Sequence, residues 1–190
     1  MAHDDLVYDA VVLAGGGGRR LGGVDKPGIV VGGATLLDRV LAAVAGASAV
    51  VVVGPERPVV RPVRWAREDP VGGGPLAALA AGLSHVEASV LVLLAADLPF
   101  LDPATVGLLL EVPGTMLVDE IGRNQLLCAS FATADLRCAL DGVPVANGRL
   151  APVLLPLVLR RVVPPAPSGR PAPWSDCDTE DDLRRARENA

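Results

Sequence analysis

Short apolar runs alternate with segments of helical periodicity along the first two thirds of the chain. Runs rich in valine and leucine predict buried strands where they end in glycine, proline or aspartate, at residues 6–14, 49–55 and 89–100. A further short strand is predicted near Trp65. Apolar residues at helical spacing predict helices in segments 34–47, 72–86 and 102–112.

Residues at the ends of these segments are typical of helix boundaries. Gly46 is expected to end the first helix, and Asp102 is expected to cap the third. Pro75 falls in the first turn of the second helix, where its missing N–H group has no cost. Strands that alternate with helices in this way predict an α/β fold, a three-layer sandwich with a mostly parallel central sheet.

The second part of the chain is less regular, and we find no internal repeat in it. Strands are predicted in segments 115–119, 123–131 and 157–163. Helices are predicted at 132–140 and 179–189, the second with Thr179 as its N-cap. The proline-rich segment 164–173 is expected to be a stiff, exposed connector.

Composition narrows the function classes. The chain has 190 residues, of which 51% are apolar and 21% charged, and its net charge is −5. Because binding to phosphate backbones needs a basic face, this balance argues against a nucleic-acid partner. The apolar runs are interrupted short of a membrane span, and the first residues lack the basic region of a secretion signal. Three cysteines without a CxxC pair fit a reducing compartment, so we expect a cytoplasmic protein without a membrane partner.

The loop after the first predicted strand is rich in glycine and reads LAGGGGRRLGGVDKPG over residues 13–28. Lys26 is the only lysine of the chain, which has sixteen arginines. Glycine N–H groups can point at a phosphate, and Arg20 and Lys26 add positive charge. The spacing fits neither the dinucleotide fingerprint nor the P-loop, since Lys26 stands between Asp25 and Pro27. These residues indicate a phosphate-binding loop, with a glycine-rich surface turn as the alternative.

Four segments, in order, resemble the motifs of the molybdenum cofactor guanylyltransferases, the MobA family of nucleotidyltransferases. LAGGGGRRLGGVDK resembles the signature LAGGxxxRMGGxDK, and EDPVGGGPLAAL is similar to the D…GPLAGL segment. AADLPFL resembles the CDxPFL turn, and WSDCDTEDDL is similar to F-x-N/D-x-N/D-T-P-E-D-L. The motifs span residues 13–183, nearly the whole chain. The resemblance implies a nucleotidyltransferase of Rossmann-like type, with residues 1–190 as a single domain.

Several positions depart from these motifs. Leu21 replaces methionine with little change in volume, and Glu180 replaces proline. Gly54 stands where the guanylyltransferases can carry asparagine, so a side-chain contact is expected to be lost there. Asp176 and Asp178 stand where some members have asparagine. None of these changes removes a charged residue that the chemistry needs.

The resemblance implies transfer of GMP from GTP to the terminal phosphate of molybdopterin, with release of pyrophosphate. A phosphate oxygen attacks the α-phosphorus in line, so the protein must supply positive charge, orientation and a Mg²⁺ ion. Lys26, Arg20 and Asp97 are the implied catalytic residues. Asp97 is also the implied Mg²⁺ ligand, since it follows a buried strand at the edge where α/β sheets bind ligands.

The implied nucleotide-binding residues extend beyond the catalytic ones, and they are Leu13, Ala14, Gly15, Gly16, Lys26, Asp69 and Asp97. For Asp69 the alternative is an ordinary turn residue before Pro70, and for Asp97 it is a turn residue or helix cap. Asp176 and Asp178 could be ligands of a metal or of the acceptor, or could belong to a helix-entry turn.

Other functions remain open on the sequence. A cytidylyltransferase usually reads LAAG in the first motif and D-Q-P in the metal turn, so LAGG, GPL and DLP favour guanine here. Within the fold, the acceptor could instead be another small molecule such as a sugar phosphate or phospholactate. From a different class, the chain could be a noncatalytic nucleotide-binding module. Molybdoenzymes or their chaperones are further implied partners.

Overall fold

The computed structural model describes residues 6–15, 24–165 and 171–190. The strands are β1 (Tyr8–Leu13), β2 (Val30–Val31), β3 (Ala34–Thr35), β4 (Ala49–Val53), β5 (Arg64–Ala66), β6 (Val90–Ala95), β7 (Thr115–Val118), β8 (Asn124–Ala132) and β9 (Arg160–Val162). The α-helices are α1 (Leu36–Ala43), α2 (Gly74–Leu83), α3 (Pro103–Leu110), α4 (Thr133–Leu140), α5 (Leu150–Leu154) and α6 (Glu180–Glu188).

A seven-stranded sheet forms the centre of the molecule, in the order β5-β4-β1-β6-β8-β7-β9. Six of its strands run in one direction, and β8 alone runs antiparallel to its neighbours β6 and β7. The predicted α/β fold with a mostly parallel sheet is therefore confirmed. The strand order reverses at β1, whose neighbours β4 and β6 lead to opposite edges. In open α/β sheets, ligands bind at such a reversal, beyond the carboxyl ends of the strands.

Helices cover both faces of the sheet and give the predicted three layers. Helices α1 and α3 pack on one face, while α2, α4 and α5 pack on the other. Alternate residues of β1 enter the two cores, as the pleat of a strand requires: Val12 faces α1, and Val11 faces α2. Gly82 lets α2 approach closely, because a Cβ atom there would lie 2.6 Å from a methyl group of Val11.

Some boundaries and short elements differ from the sequence-based expectation. Helix α1 ends at Ala43, three residues before Gly46. The β2–β3 hairpin and α5 were not predicted, since strands of two residues and a helix of five are too short to show a period. The caps Asp102 and Thr179 are confirmed, each by a side chain that accepts a backbone N–H bond. No helix in the described part of the chain is long and apolar enough to cross a membrane.

Asp9 is a buried carboxylate that fastens the amino end of β1 to two neighbouring segments. Its side chain accepts N–H bonds from Ala49 at 3.0 Å, Glu87 at 2.8 Å and Ala88 at 3.0 Å. The residue is 2% exposed, so its carboxylate depends on these donors rather than on water. Because one carboxylate satisfies three backbone donors, we assign Asp9 a structural role. It lies at the amino end of β1, remote from the carboxyl edge of the sheet.

We expect Asp9→Ala to lower the free energy of unfolding by about 3 kcal/mol, because it leaves three N–H groups without an acceptor. Asp9→Asn should lose less, since one acceptor oxygen remains. Urea denaturation followed by circular dichroism measures both, with the exposed Glu120→Ala as the control. A loss for Asp9→Ala no larger than that of the control would contradict this role.

Candidate functional site

Lys26 begins a short 3₁₀ turn, Lys26–Gly28, at the end of the glycine-rich segment. The turn is closed by two backbone bonds, from Gly28 N–H to Asp25 at 3.0 Å and from Ile29 N–H to Lys26 at 3.1 Å. Pro27 is buried within it. These contacts hold the backbone of Lys26 in one place while its long side chain reaches across the carboxyl edge of the sheet.

Asp97 meets Lys26 because β6 ends beside β1. The N–H group of Ala96 donates to the carbonyl of Leu13 at 3.1 Å, which extends the β1–β6 pairing by one residue beyond the ladder. Asp97 follows directly in the turn after β6, with its side chain 20% exposed. One of its carboxylate oxygens forms an ion pair with the Lys26 ammonium.

Asp178 reaches the same ammonium from the other end of the chain, with Oδ1 at 2.5 Å from Lys26 Nζ. Two neighbours fix its position. Cys177 is buried in a small apolar cluster with Val31, Leu36, Leu183 and Ala186. Thr179 forms a capping box with Asp182 at the start of α6. Because it lies between a buried side chain and a helix cap, Asp178 has its backbone held on both sides, while its side chain is 43% exposed.

The two carboxylates favour the charged form of Lys26. Its side chain is only 12% exposed. Burial by itself lowers the pKa of Lys26, but the charges of Asp97 and Asp178 and their hydrogen bonds outweigh it, so that the pKa is raised above the ordinary lysine value. The pKa of Asp176 is also raised, first by desolvation and then by the negative charges of Asp178 and Asp97. Among the described residues, the carboxylates around Lys26 therefore outnumber the ammonium that they contact.

The carboxylates fit a Mg²⁺ site of the kind found in enzymes that act on phosphates. Mg²⁺ prefers oxygen ligands and is usually bound through one or two carboxylates together with substrate phosphates. Asp97 and Asp178 supply two carboxylates that converge on one cationic atom. Among the described residues, no group of three or more His, Cys, Asp or Glu side chains is placed to hold a metal. The protein therefore offers two carboxylates at this site.

The end of β1 presents backbone rather than side chains to the site. Leu13 and Ala14 are buried, while Gly15 is exposed, and a Cβ atom on Gly15 would meet nothing within 4 Å. Gly54 packs directly on this segment, since a Cβ atom there would lie 2.7 Å from the carbonyl oxygen of Ala14. Gly54 lacks the side-chain contact that asparagine would make. The absence of a Cβ atom also lets the backbone of Gly54 approach the backbone of Ala14.

Of the remaining predicted site residues, the structure describes only Asp69. Asp69 is exposed in the loop between β5 and α2, and no bond that the structure describes links it to Lys26 or Asp97. Its nucleotide-binding role stays a prediction. Gly16 and Arg20 lie outside the described residues.

Arg57 is a residue of the site that was not predicted from the sequence. It lies in the loop after β4, with its side chain 9% exposed, and its Nη2 atom is 2.9 Å from Asp25 Oδ1. Burial lowers the pKa of Arg57, and the charge of Asp25 partly offsets that effect. The only available signal was its place just after a buried strand at the ligand-binding edge, which many surface arginines share.

The single lysine makes the charge state of the site measurable. We expect the pKa of Lys26 to exceed the ordinary value of about 10.4, and Asp97→Asn to lower it because the largest attractive charge is removed. The ion pairs stabilise the fold below the unfolded-state pKa, and this stabilisation is lost as the pH rises through the higher folded-state value.

NMR titration of protein labelled with ¹³C at the lysine Cε atom gives one lysine signal for this purpose and leaves the ammonium unmodified. Asp135→Asn, an exposed change in the first turn of α4, is the control and should leave the titration unchanged. A pKa of Lys26 at or below the ordinary value in the unmutated protein would mean that the ion pairs do not persist in solution.

Solved structures share this fold over nearly their whole length. A nucleotidyl transferase from Methanothermobacter thermautotrophicus has a TM-score of 0.72 at 22% identity, covering 96% of both chains. Molybdopterin-guanine dinucleotide biosynthesis protein A from Archaeoglobus fulgidus gives 0.67 at 21%, covering 95% of this chain and 97% of that one. For 2-C-methyl-D-erythritol 4-phosphate cytidylyltransferase from Thermus thermophilus the values are 0.65 and 23%, covering 94% and 97%. The expected Rossmann-like nucleotidyltransferase fold is confirmed.

Sequence comparison relates the chain to a curated protein and to a family model. A curated molybdenum cofactor guanylyltransferase from Acidiphilium cryptum (strain JF-5) is 42% identical over an alignment of 102 positions, which covers 48% of this chain and 50% of that protein. The chain thus spans about half the length of the curated relative that it matches. The family model of the MobA-like NTP transferase domain matches residues 10–155, which is most of the chain. The resemblance to the MobA family is therefore confirmed, and the chain belongs to the MobA-like NTP transferase domain family.

Proposed function

We propose that this protein is a nucleotidyltransferase that transfers GMP from GTP to the terminal phosphate of molybdopterin and releases pyrophosphate. One observation carries the proposal: the ammonium of Lys26 and the carboxylates of Asp97 and Asp178 meet at the carboxyl edge of the sheet, beside the exit of β1. Family membership supports the chemical class. The 42% identity to a guanylyltransferase supports the substrate.

The reaction joins two anions. An oxygen of the acceptor phosphate forms a bond to the α-phosphorus of GTP, and the bond from that phosphorus to the bridging oxygen of the β-phosphate breaks. Pyrophosphate leaves with the electron pair. Since the attacking oxygen is already negatively charged, no base has to remove a proton, and the protein contributes mainly charge and orientation.

Each residue of the cluster has a part in this scheme. Lys26 contacts the phosphates of GTP and follows the negative charge as it moves onto pyrophosphate, for which a compact ammonium on a flexible stem is well suited. Asp97 and Asp178 hold Mg²⁺, which neutralises phosphate charge when it is bound. The backbone of Leu13, Ala14 and Gly15 lies against the nucleotide. Without ligands, the same carboxylates keep Lys26 charged.

Cytidylyl transfer is the second candidate within this fold, and the Thermus thermophilus structure of that name shares the architecture. The acceptor could then be a different small phosphate. Gly15 at the end of β1 favours a purine, because a base can lie close to a backbone that carries no Cβ atom. We place the protein in the cytoplasm, where molybdoenzymes or their chaperones would receive the product.

We expect pyrophosphate release with GTP, Mg²⁺ and molybdopterin, and kcat/KM at least about tenfold lower with CTP, which is the scale of one base contact. A coupled pyrophosphate assay measures both nucleotides. Omission of molybdopterin is the control and should abolish release. Preference for CTP would select the cytidylyltransferase alternative, and nucleotide binding without release would leave a noncatalytic module.

Asp97→Asn should weaken the dependence on Mg²⁺ more than it weakens metal-free nucleotide binding, because the amide keeps the shape but loses the charge that holds the ion. We expect half-maximal activity to need about tenfold more Mg²⁺. Mn²⁺ binding measured by electron paramagnetic resonance gives a readout independent of turnover, and Asp135→Asn is the matched exposed control. An unchanged metal titration would remove Asp97 from the metal site.

A further inference from the structure

Arg57 contacts both sides of the glycine-rich segment. Its Nη2 atom is 2.9 Å from Asp25 Oδ1, directly before Lys26, and its Nη1 atom donates to the carbonyl of Ala14 at 3.5 Å. We propose that Arg57 is a positioning residue, which sets the place of Lys26 by fastening Asp25 to the end of β1. The inference rests on the proposed function, because it assigns Arg57 an effect on nucleotide affinity.

The carboxylate of Asp25 is mechanically linked to the turn that carries Lys26. A Cβ atom on Gly28 would lie 2.7 Å from Asp25 Oδ2, so this carboxylate lies over the turn. The carbonyl of Asp25 also accepts the N–H bond of Gly28 that closes the turn. A displacement of Asp25 therefore displaces the backbone of Lys26 as well.

The other contact of Arg57 is to a fixed part of the sheet. Ala14 is buried, and its N–H group donates to Val53 at 2.8 Å, so the end of β1 is held by β4. Arg57 itself follows β4 by a few residues, beyond the close contact of Gly54 with Ala14. One planar guanidinium thus spans from the rigid sheet edge to the turn of Lys26.

The shape of the side chain explains why arginine is suited to this place. A guanidinium directs separate N–H groups at two acceptors in a fixed fork, whereas an ammonium is a point charge. The identity of Arg57 alone tells little, since arginine is the common base of this chain. Its burial and its two partners are the informative observations. A turn that is held in advance has less freedom to lose when a phosphate binds Lys26.

The test compares Arg57→Met and Arg57→Lys with Arg61→Met. Arg61 comes from the same loop and also donates to backbone carbonyls, those of Leu41 and Val44, but these lie at the end of α1. We expect Arg57→Met to raise KM and the Kd for GTP about tenfold with a smaller change in kcat. Arg57→Lys should fall between, and Arg61→Met should affect only the melting temperature.

Hydrogen exchange in the ligand-free protein gives the second readout. The amides of Gly28 and Ile29 close the turn of Lys26, so we expect both to exchange faster in the Arg57 variants and in Asp25→Asn, but not in Arg61→Met. If Arg57→Met fails to fold, Arg57→Lys and Asp25→Asn carry the test.

The outcomes separate this inference from the proposed function. Unmutated protein that binds no GTP refutes the proposed function, and the exchange of the two amides then decides the role of Arg57. Unchanged exchange, or a Kd for GTP within twofold of the unmutated protein, overturns the inference. A melting temperature that falls without either change would make Arg57 purely structural.

Discussion

A partly buried ammonium needs negative partners, and Lys26 obtains them from two distant parts of the chain. Asp97 is 71 residues away and Asp178 is 152 residues away, yet both contact the same nitrogen. Because each ion pair needs its backbone in place, the arrangement depends on the turn after β1, the turn after β6 and the segment before α6. Under the proposed function, Lys26 would contact phosphates in place of the carboxylates, and Asp97 and Asp178 would hold Mg²⁺ in place of the ammonium. Each charge then exchanges one partner for another of the same sign.

The topology of the sheet explains why these charges meet at this edge. The chain leaves β1 at the reversal of strand order, and the bond from Ala96 to Leu13 carries the pairing with β6 up to the point where Asp97 begins. Helix α6 then lies against α1 and the β2–β3 hairpin through Cys177 and Leu183. The sheet and one small apolar cluster therefore set the positions of Asp97 and Asp178.

Much of the fold follows from local sequence patterns, and the site follows only in part. Apolar runs long enough to show a period predicted β1, β4 and β6, and capping residues predicted the starts of α3 and α6. The contact of Asp178 with Lys26 has no such signal, because it depends on how Cys177 packs against Val31 and Leu36. The role of Arg57 could not be predicted for a similar reason, because its partners are a backbone carbonyl and a carboxylate on another loop.

Gly82 limits which amino acids this position of α2 can accept in evolution. It touches no charged residue of the site, yet a methyl group there would strike Val11 and Val53, the strand residues that precede the loops of Ala14 and Gly54. Helix α2 would have to move away from the sheet, and the glycine turn at its start would move with it. A change from glycine to alanine inside a helix normally improves helix propensity. At Gly82 the helix propensity favours alanine, whereas the packing against Val11 and Val53 excludes it. Homologues with the same close packing are therefore expected to keep glycine here.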